Sequence, residues 1–96
     1  MADYILLMRD DAPVDDNEGW DPYLRTLKQK GVFEGGSAIG EGICVRKSGP
    51  APAISGHLVG YIRVTADTID QAKLLLAGNP HFEAGGTVEI RELPRA

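Results

Sequence analysis

YILLM, residues 4–8, is an uninterrupted apolar run with a charged residue on each side. Such a run is typical of a β-strand whose two faces are both covered, because successive side chains of a strand point to opposite faces. One set of side chains can pack on the protein's own helices. In a chain of 96 residues, the natural cover for the other set is a second copy of the same sheet. We therefore expect a homodimer.

After this strand and an acid-rich loop, apolar residues recur at the spacing of a helix. The recurring apolar residues are Trp20, Tyr23, Leu24 and Leu27. Gly31 stands where a left-handed helix stop is expected. Asp21-Pro22 fits an N-cap followed by proline at the first helical position, and a start near Asn17 is the alternative.

The middle of the chain is rich in glycine and proline. A glycine-rich segment, residues 33–42, precedes Ile43-Cys44-Val45-Arg46, and this order predicts a strand that is bent or bulged in its first half. Cys44 is then a buried structural thiol. Residues 48–55, with two prolines and a glycine, are predicted to form a loop.

Alternation of apolar and polar residues indicates two further strands, at residues 57–65 and 87–93. Between them a second helix opens at Ala66-Asp67-Thr68 and ends at Gly78. Asn79-Pro80 prevents its continuation. The predicted apolar stripe of this helix is Ile69, Ala72, Leu75 and Leu76.

This order of elements predicts an α+β fold with one domain over residues 1–96. The economical topology is a ferredoxin-like β-α-β-β-α-β antiparallel sheet with both helices on one face. Two such sheets stacked through their open faces would form a dimeric α+β barrel.

Composition excludes several classes of protein. The net charge is −4, which is not the basic balance of a nucleic-acid or membrane-surface binder, and the apolar runs are too short for a membrane span. One cysteine allows no intramolecular disulfide or Cys-x-x-Cys metal clip, so we expect a cytoplasmic protein without metal or cofactor. Residues 1–21 carry seven acids and one base, which is interpreted either as a solvated loop or as a rim that steers a cation.

The predicted open face of the sheet carries the candidate ligand-binding residues. If Ile62 and Ile90 point to the helices, then Tyr61, Arg63 and Arg91 point away from them. Arginine side chains hold carboxylates with two parallel hydrogen bonds, so a small anionic or aromatic molecule is the expected ligand. The alternative is that Arg63 pairs with Glu89 across the sheet and binds nothing.

The two histidines are the candidates for acid–base chemistry. An imidazole beside an ionised Asp10 or Asp11 is the minimum arrangement for it. We assign Asp10 and His81 as the candidate catalytic residues and His57 as a further ligand-binding residue at the cavity mouth. The alternative interpretation is that both histidines are ordinary surface residues.

Several motifs together resemble the YCII-related family, in particular its DGPF branch. They are the YILLM strand, Trp20-x-x-Tyr23, Gly60-Tyr61, Asp67-x-x-x-Gln71-Ala72, and the ending from Asn79-Pro80-His81 to Leu93. The resemblance implies a dimeric α+β barrel and, in some members, a histidine and aspartate pair at the barrel mouth. The aspartate would match Asp10. The histidine would fall near the first helix start, where this chain has Trp20 and Tyr23.

Two functions follow as hypotheses. The first is a homodimer that binds a small organic molecule in a cavity at its sheet face, with weak acid–base catalysis. The second is a non-catalytic protein–protein interaction module, whose cavity would be filled by side chains. A heme- or metal-using oxygenase is disfavoured because the chain has two histidines and neither has metal-ligand spacing. Whether the protein is an enzyme stays open at this point.

Overall fold

A computed structural model describes residues 1–14 and 18–95 of the chain. The strands are β1 (Ala2–Arg9), β2 (Phe33–Ala38), β3 (Leu58–Ala66) and β4 (Val88–Leu93). The helices are α1 (Trp20–Gln29), α2 (Ile69–Leu74) and the one-turn α3 (Pro80–Glu83). The strands form one sheet in the order β2-β3-β1-β4, and every neighbouring pair is antiparallel. The predicted α+β class with an antiparallel sheet is confirmed.

The core lies on one face of the sheet. In β1 the buried side chains alternate with half-buried ones, as the pleat of a strand requires. Helix α1 contributes Tyr23 and Leu27 to the same core, and the Tyr23 hydroxyl donates to the Leu75 carbonyl just after α2 at 2.8 Å. The full set of buried core residues is Tyr4, Leu6, Met8, Tyr23, Leu27, Ile62, Val64, Ala66, Ala72 and Leu76.

The predicted first helix is confirmed, but its capping is different. Its N-cap is Gly19, which has no side chain to accept a backbone hydrogen bond, so the prediction that Asp21-Pro22 forms the cap is wrong. The alternative start near Asn17 falls on residues 15–17, outside the described residues. Gly31 has a φ of 72° and ends the helix as predicted, because the left-handed region favours glycine.

The largest difference between the predicted and the observed elements lies in the middle of the chain. The strand is the glycine-rich segment itself, Phe33–Ala38, whose pairing with β3 shifts register between Phe33 and Gly36. Ile43–Arg46 lies outside the sheet, because no strand of the described chain pairs with it. Cys44 is accordingly half-buried, not buried. Residues 48–55 contain no helix or strand, as predicted.

The second helix is shorter than its pattern suggested. It begins after the Thr68 N-cap, as predicted, and ends at Leu74. Ile69, expected in the apolar stripe, is exposed. Asn79-Pro80 does more than stop this helix, since it begins α3. None of the helices in the described residues is long and apolar enough to cross a membrane.

Candidate functional site

A cavity of about 440 Å³ lies on the helix side of the sheet, between α1 and strands β2 and β3. This volume is within the range of small-molecule sites. It is lined by Met8, Trp20, Leu24, Phe33, Gly36, Ser37, Ala38, Val59, Gly60, Tyr61, Ile62 and His81. The sequence placed the ligand cavity on the opposite face of the sheet, so this cavity was not predicted.

The cavity has bulky side chains on one side and bare backbone on the other. Trp20 and Leu24 come from α1, while Gly36 and Gly60 pair with the neighbouring strands of the sheet. At Gly36 a Cβ would lie 2.6 Å from the Tyr61 carbonyl oxygen, so β2 approaches β3 this closely only because the residue is glycine. The lining thus combines the aromatic side chains of Trp20 and Phe33 with two glycines that contribute backbone only.

His81 forms the polar end of this cavity. It lies on α3, whose N-cap Asn79 accepts a hydrogen bond from the Phe82 amide at 3.0 Å and is itself fully buried. The His81 side chain is 10% exposed, and its Nε2 atom is buried without a hydrogen-bond partner among residues 1–14 and 18–95. Gly86 lies against the ring, since a Cβ there would be 2.3 Å from Nε2. The imidazole is therefore fixed by its surroundings while one nitrogen is left unpaired.

Asp11 places a carboxylate beside this imidazole. Its Oδ1 lies 3.8 Å from His81 Nε2. The Thr87 amide and hydroxyl both donate to Asp11, at 2.7 Å and 2.5 Å. These hydrogen bonds favour the ionised form and lower the pKa of Asp11 below its ordinary value. A negative charge is thus held close to His81 at neutral pH.

Asp10, the predicted catalytic aspartate, is placed beside the other histidine. Its Oδ1 lies 3.9 Å from His57 Nδ1, and the two side chains are 50% and 72% exposed. The backbone explains this pairing, because the Asp10 amide donates to the His57 carbonyl while the preceding Arg9 amide donates to the Thr87 carbonyl. The structure therefore brings Asp10 to His57 and Asp11 to His81.

The predicted open-face residues lie where the alternation placed them. Arg63 and Arg91 both pair with Ile5, which puts the two guanidinium groups in one row across three strands. Tyr61 pairs with Leu7 in the next row and also lines the cavity. His57, Arg63 and Arg91 are not among the cavity-lining residues.

The predicted alternative pairing of Arg63 with Glu89 is not seen. Strand β1 separates β3 from β4, so these two residues are not cross-strand neighbours. Glu89 instead pairs with Arg9 at 3.4 Å and with Arg91 at 3.3 Å. Arg63 is exposed and forms no ion pair within the described part of the chain.

The sequence did not reveal the hydrogen bonds between Thr87 and Asp11, or the short helix α3 that carries His81. The signal for α3 was present, since asparagine followed by proline is a favourable helix start as well as a stop for the preceding helix. Thr87 had no local signal, because its partner is 76 residues away. Among residues 1–14 and 18–95, no group of three or more histidine, cysteine or acidic side chains could hold a metal ion.

Comparison with known proteins places no constraint on the chemistry of this site. No family model matches the chain, and no curated protein matches it significantly.

Proposed function

We propose that the protein binds a small, flat and largely apolar organic molecule in the helix-side cavity and transfers a proton through His81. One observation carries this proposal: a nine-tenths buried imidazole lines the cavity, with an unpaired ring nitrogen and an ionised carboxylate 3.8 Å away. Buried histidines normally satisfy both ring nitrogens. A site that leaves one unpaired and supplies a counter-charge is suited to acid–base work.

The shape of the cavity supports the class of ligand. Trp20 and Leu24 contribute apolar side chains to the lining, and Gly36 and Gly60 contribute backbone only. A planar ring can lie against both surfaces, whereas a puckered ring of the same size needs more depth. The described lining residues include no charged group other than the titratable His81. The ligand in this cavity is therefore apolar or weakly polar where it contacts the walls.

The proton step uses two residues of the chain. His81 accepts, on Nδ1, a proton from an acidic C–H or O–H bond of the ligand, whose electron pair stays on the ligand. Nε2 is not the accepting atom, because it is buried beside Gly86 and Asp11. Asp11 balances the positive charge that then develops on the imidazole, and Thr87 holds Asp11 in place through two hydrogen bonds. Returning the proton to another atom of the ligand restores His81 and completes an isomerisation.

The quaternary structure and family belong to the same proposal. We infer a ferredoxin-like protomer related to the YCII family, because β1 and β3 are the central strands and the elements follow the order that its motifs imply. The half-buried Ile5 and Leu7 on the open face support a second copy stacked on that face. In such a dimeric barrel, Arg63 and Arg91 would offer a separate anion-binding subsite between the two sheets, on the face opposite the helix-side cavity. The single cysteine supports a reducing, cytoplasmic setting.

Binding is tested with a matched pair of probes. Benzoate and cyclohexanecarboxylate differ in planarity and share a charge, so benzoate should shift the indole N–H resonance of Trp20 at lower concentration. Phenol, which is flat and uncharged, should bind as well. If no probe perturbs Trp20 or raises the melting temperature, the cavity is not a ligand site, and the non-catalytic interaction module becomes the better hypothesis.

Proton transfer is tested separately. Cyclopent-2-enone, whose ring is close to planar, exchanges its acidic C–H protons slowly in D₂O, and NMR follows the loss of their signals. We expect the protein to accelerate this exchange and His81→Gln to abolish the acceleration. His57→Gln is the matched control, because it removes an imidazole that is also beside an aspartate but is exposed. Equal rates for the two variants would remove His81 from the mechanism.

A further inference from the structure

The outer edge of β4 has no partner strand within the described chain, because β4 stands last in the order β2-β3-β1-β4. The Arg9 amide of β1 donates to the Thr87 carbonyl, and the backbone groups of a strand point alternately to its two sides. The odd-numbered residues of β4 therefore bond to β1, while the amides and carbonyls of Val88, Ile90 and Glu92 point away from it. No backbone group elsewhere in the described chain bonds to these three residues.

This edge is the more regular of the two sheet edges. At the opposite edge, β2 has a register shift between Phe33 and Gly36, and irregularities of this kind hinder the addition of another strand. β4 pairs with β1 over six consecutive residues without a shift. A regular strand with a row of free amides and carbonyls is a template for a further strand.

The charges of β4 select a second copy of β4 as that strand. When two copies run antiparallel about Ile90, Glu89 of each copy lies opposite Arg91 of the other, in the closer type of pair, with Cα atoms about 4.5 Å apart. Moving the centre by one residue instead sets Glu89 opposite Glu89 or Arg91 opposite Arg91, and like charges in that position repel. Glu-Ile-Arg is therefore complementary to itself in one register.

Both side chains can form these pairs in addition to their present contacts. Arg91 is 69% exposed, and its Nη1 atom lies 3.3 Å from Glu89 of its own chain. A guanidinium has five N–H donors, so Arg91 can also bind Glu89 of a second copy. Glu89 pairs with Arg9 at 3.4 Å and keeps 37% of its side chain exposed, and a carboxylate has about four acceptor positions.

We propose that β4 of one copy pairs antiparallel with β4 of a second copy about Ile90, which joins the two sheets into one continuous sheet. Three residues of each edge then form about six backbone hydrogen bonds with the other copy. The proposal goes beyond the proposed function, because it uses neither the helix-side cavity nor the open face. The cavity lies beside β2 and β3, so it stays accessible in both copies.

Amide hydrogen exchange of ¹⁵N-labelled protein tests the pairing directly. In the isolated chain the exchange rates should alternate along β4, because only the odd-numbered amides bond to β1. As the protein concentration rises, the amides of Val88, Ile90 and Glu92 should become at least roughly tenfold slower to exchange. Fast exchange of these three amides up to the highest soluble concentration would overturn the proposal.

Charge-reversal variants test the register. Glu89→Arg sets arginine opposite arginine and Arg91→Glu sets glutamate opposite glutamate, so each variant alone should self-associate roughly tenfold more weakly in sedimentation. A mixture of the two variants restores both opposite-charge pairs and should recover the association. Arg25→Glu, the same charge change at an exposed position of α1, is the matched control and should have no effect. A mixture that does not recover would overturn the pairing about Ile90.

Two further variants separate edge pairing from stacked sheets. Glu92→Pro removes an outward-pointing amide without removing a bond to β1 and should abolish the slow exchange at Val88 and Ile90, whereas Glu92→Ala keeps the amide and should preserve it. Ile5→Asp places a charge on the open face and should leave the exchange of the β4 edge unchanged. Slow exchange that survives Glu92→Pro but is lost in Ile5→Asp would assign the contact to the open face and overturn the proposal. The binding of benzoate beside Trp20 is measured independently, so the proposed function can stand when edge pairing fails.

Discussion

Replacing Gly86 by alanine tests whether the imidazole of His81 is held where the structure places it. The new Cβ would lie 2.3, 2.6 and 2.7 Å from three ring atoms of His81, and ordinary contact begins at 3.4 Å. The ring must therefore move by about 1 Å, or the backbone that leads into β4 must shift. Forcing extra volume into a packed site costs about 1–3 kcal/mol of the free energy of unfolding. For a domain of this size, each 1 kcal/mol lowers the melting temperature by roughly 4–8 °C.

Urea denaturation measures the loss of unfolding free energy, and the imidazole resonances of ¹⁵N-labelled protein report the displacement of the His81 ring. Gly56→Ala is the control, because nothing lies within 4 Å of its added Cβ and its backbone is outside the left-handed region. The decisive measurement is a double-mutant cycle with His81→Ala, which removes the ring that the new methyl group would strike. We expect Gly86→Ala to be at least about 1 kcal/mol less costly in that background. An equal cost in both backgrounds would refute the inferred contact.

Three further predictions concern the core, the carboxylate and the helix cap. Leu6→Ala removes a fully buried side chain and should cost about 2–5 kcal/mol in urea denaturation; a smaller loss would mean that the core collapses around the space. The lowered pKa of Asp11 adds stability at neutral pH that is lost as the pH falls below about 4. Thr87→Val should therefore destabilise at about pH 6 and have much less effect at about pH 2, and an equal effect at both would contradict this linkage. Asn79→Ala should cost about 0.5–2 kcal/mol and shift the histidine resonances of α3, whereas Thr68→Ala, which removes the cap of α2, should cost a similar amount without that shift.

The elements that the sequence predicted well are those whose partners impose a regular pattern. In β1 every second residue from Tyr4 to Met8 is buried. The alternation of residues 57–65 reappears in β3 from Gly60 to Val64, although the pairing with β1 shifts register between Met8 and Arg9. Ile43–Arg46 has the same local pattern but no partner strand in the chain, so local preference alone did not make it a strand. The glycine-rich β2 has a poor local pattern and pairs because glycine permits its close approach to β3.

The candidate site was predictable in its residue types and not in its pairing. Aspartate and histidine were identified, and His81 proved to line a cavity, but which aspartate lies beside which histidine depends on how the chain leaves β1. The cavity on the helix side also had no signal, because its lining combines residues of α1, β2, β3 and His81. Such spaces are set by contacts between elements distant in sequence.

The two adjacent aspartates after β1 restrict how this protein can vary in length. Consecutive backbone amides at Arg9 and Asp10 donate to opposite neighbouring strands, so Asp10 faces the start of β3 and Asp11 faces the start of β4. Deleting one residue before Asp10 would move Asp11 beside His57 and Ala12 beside His81, which then loses its counter-charge. Inserting one residue would move Asp10 beside His81 and leave His57 without a carboxylate. Insertions and deletions are therefore tolerated only beyond Asp11, and the point at which related chains begin to differ in loop length is a test that requires no experiment on this protein.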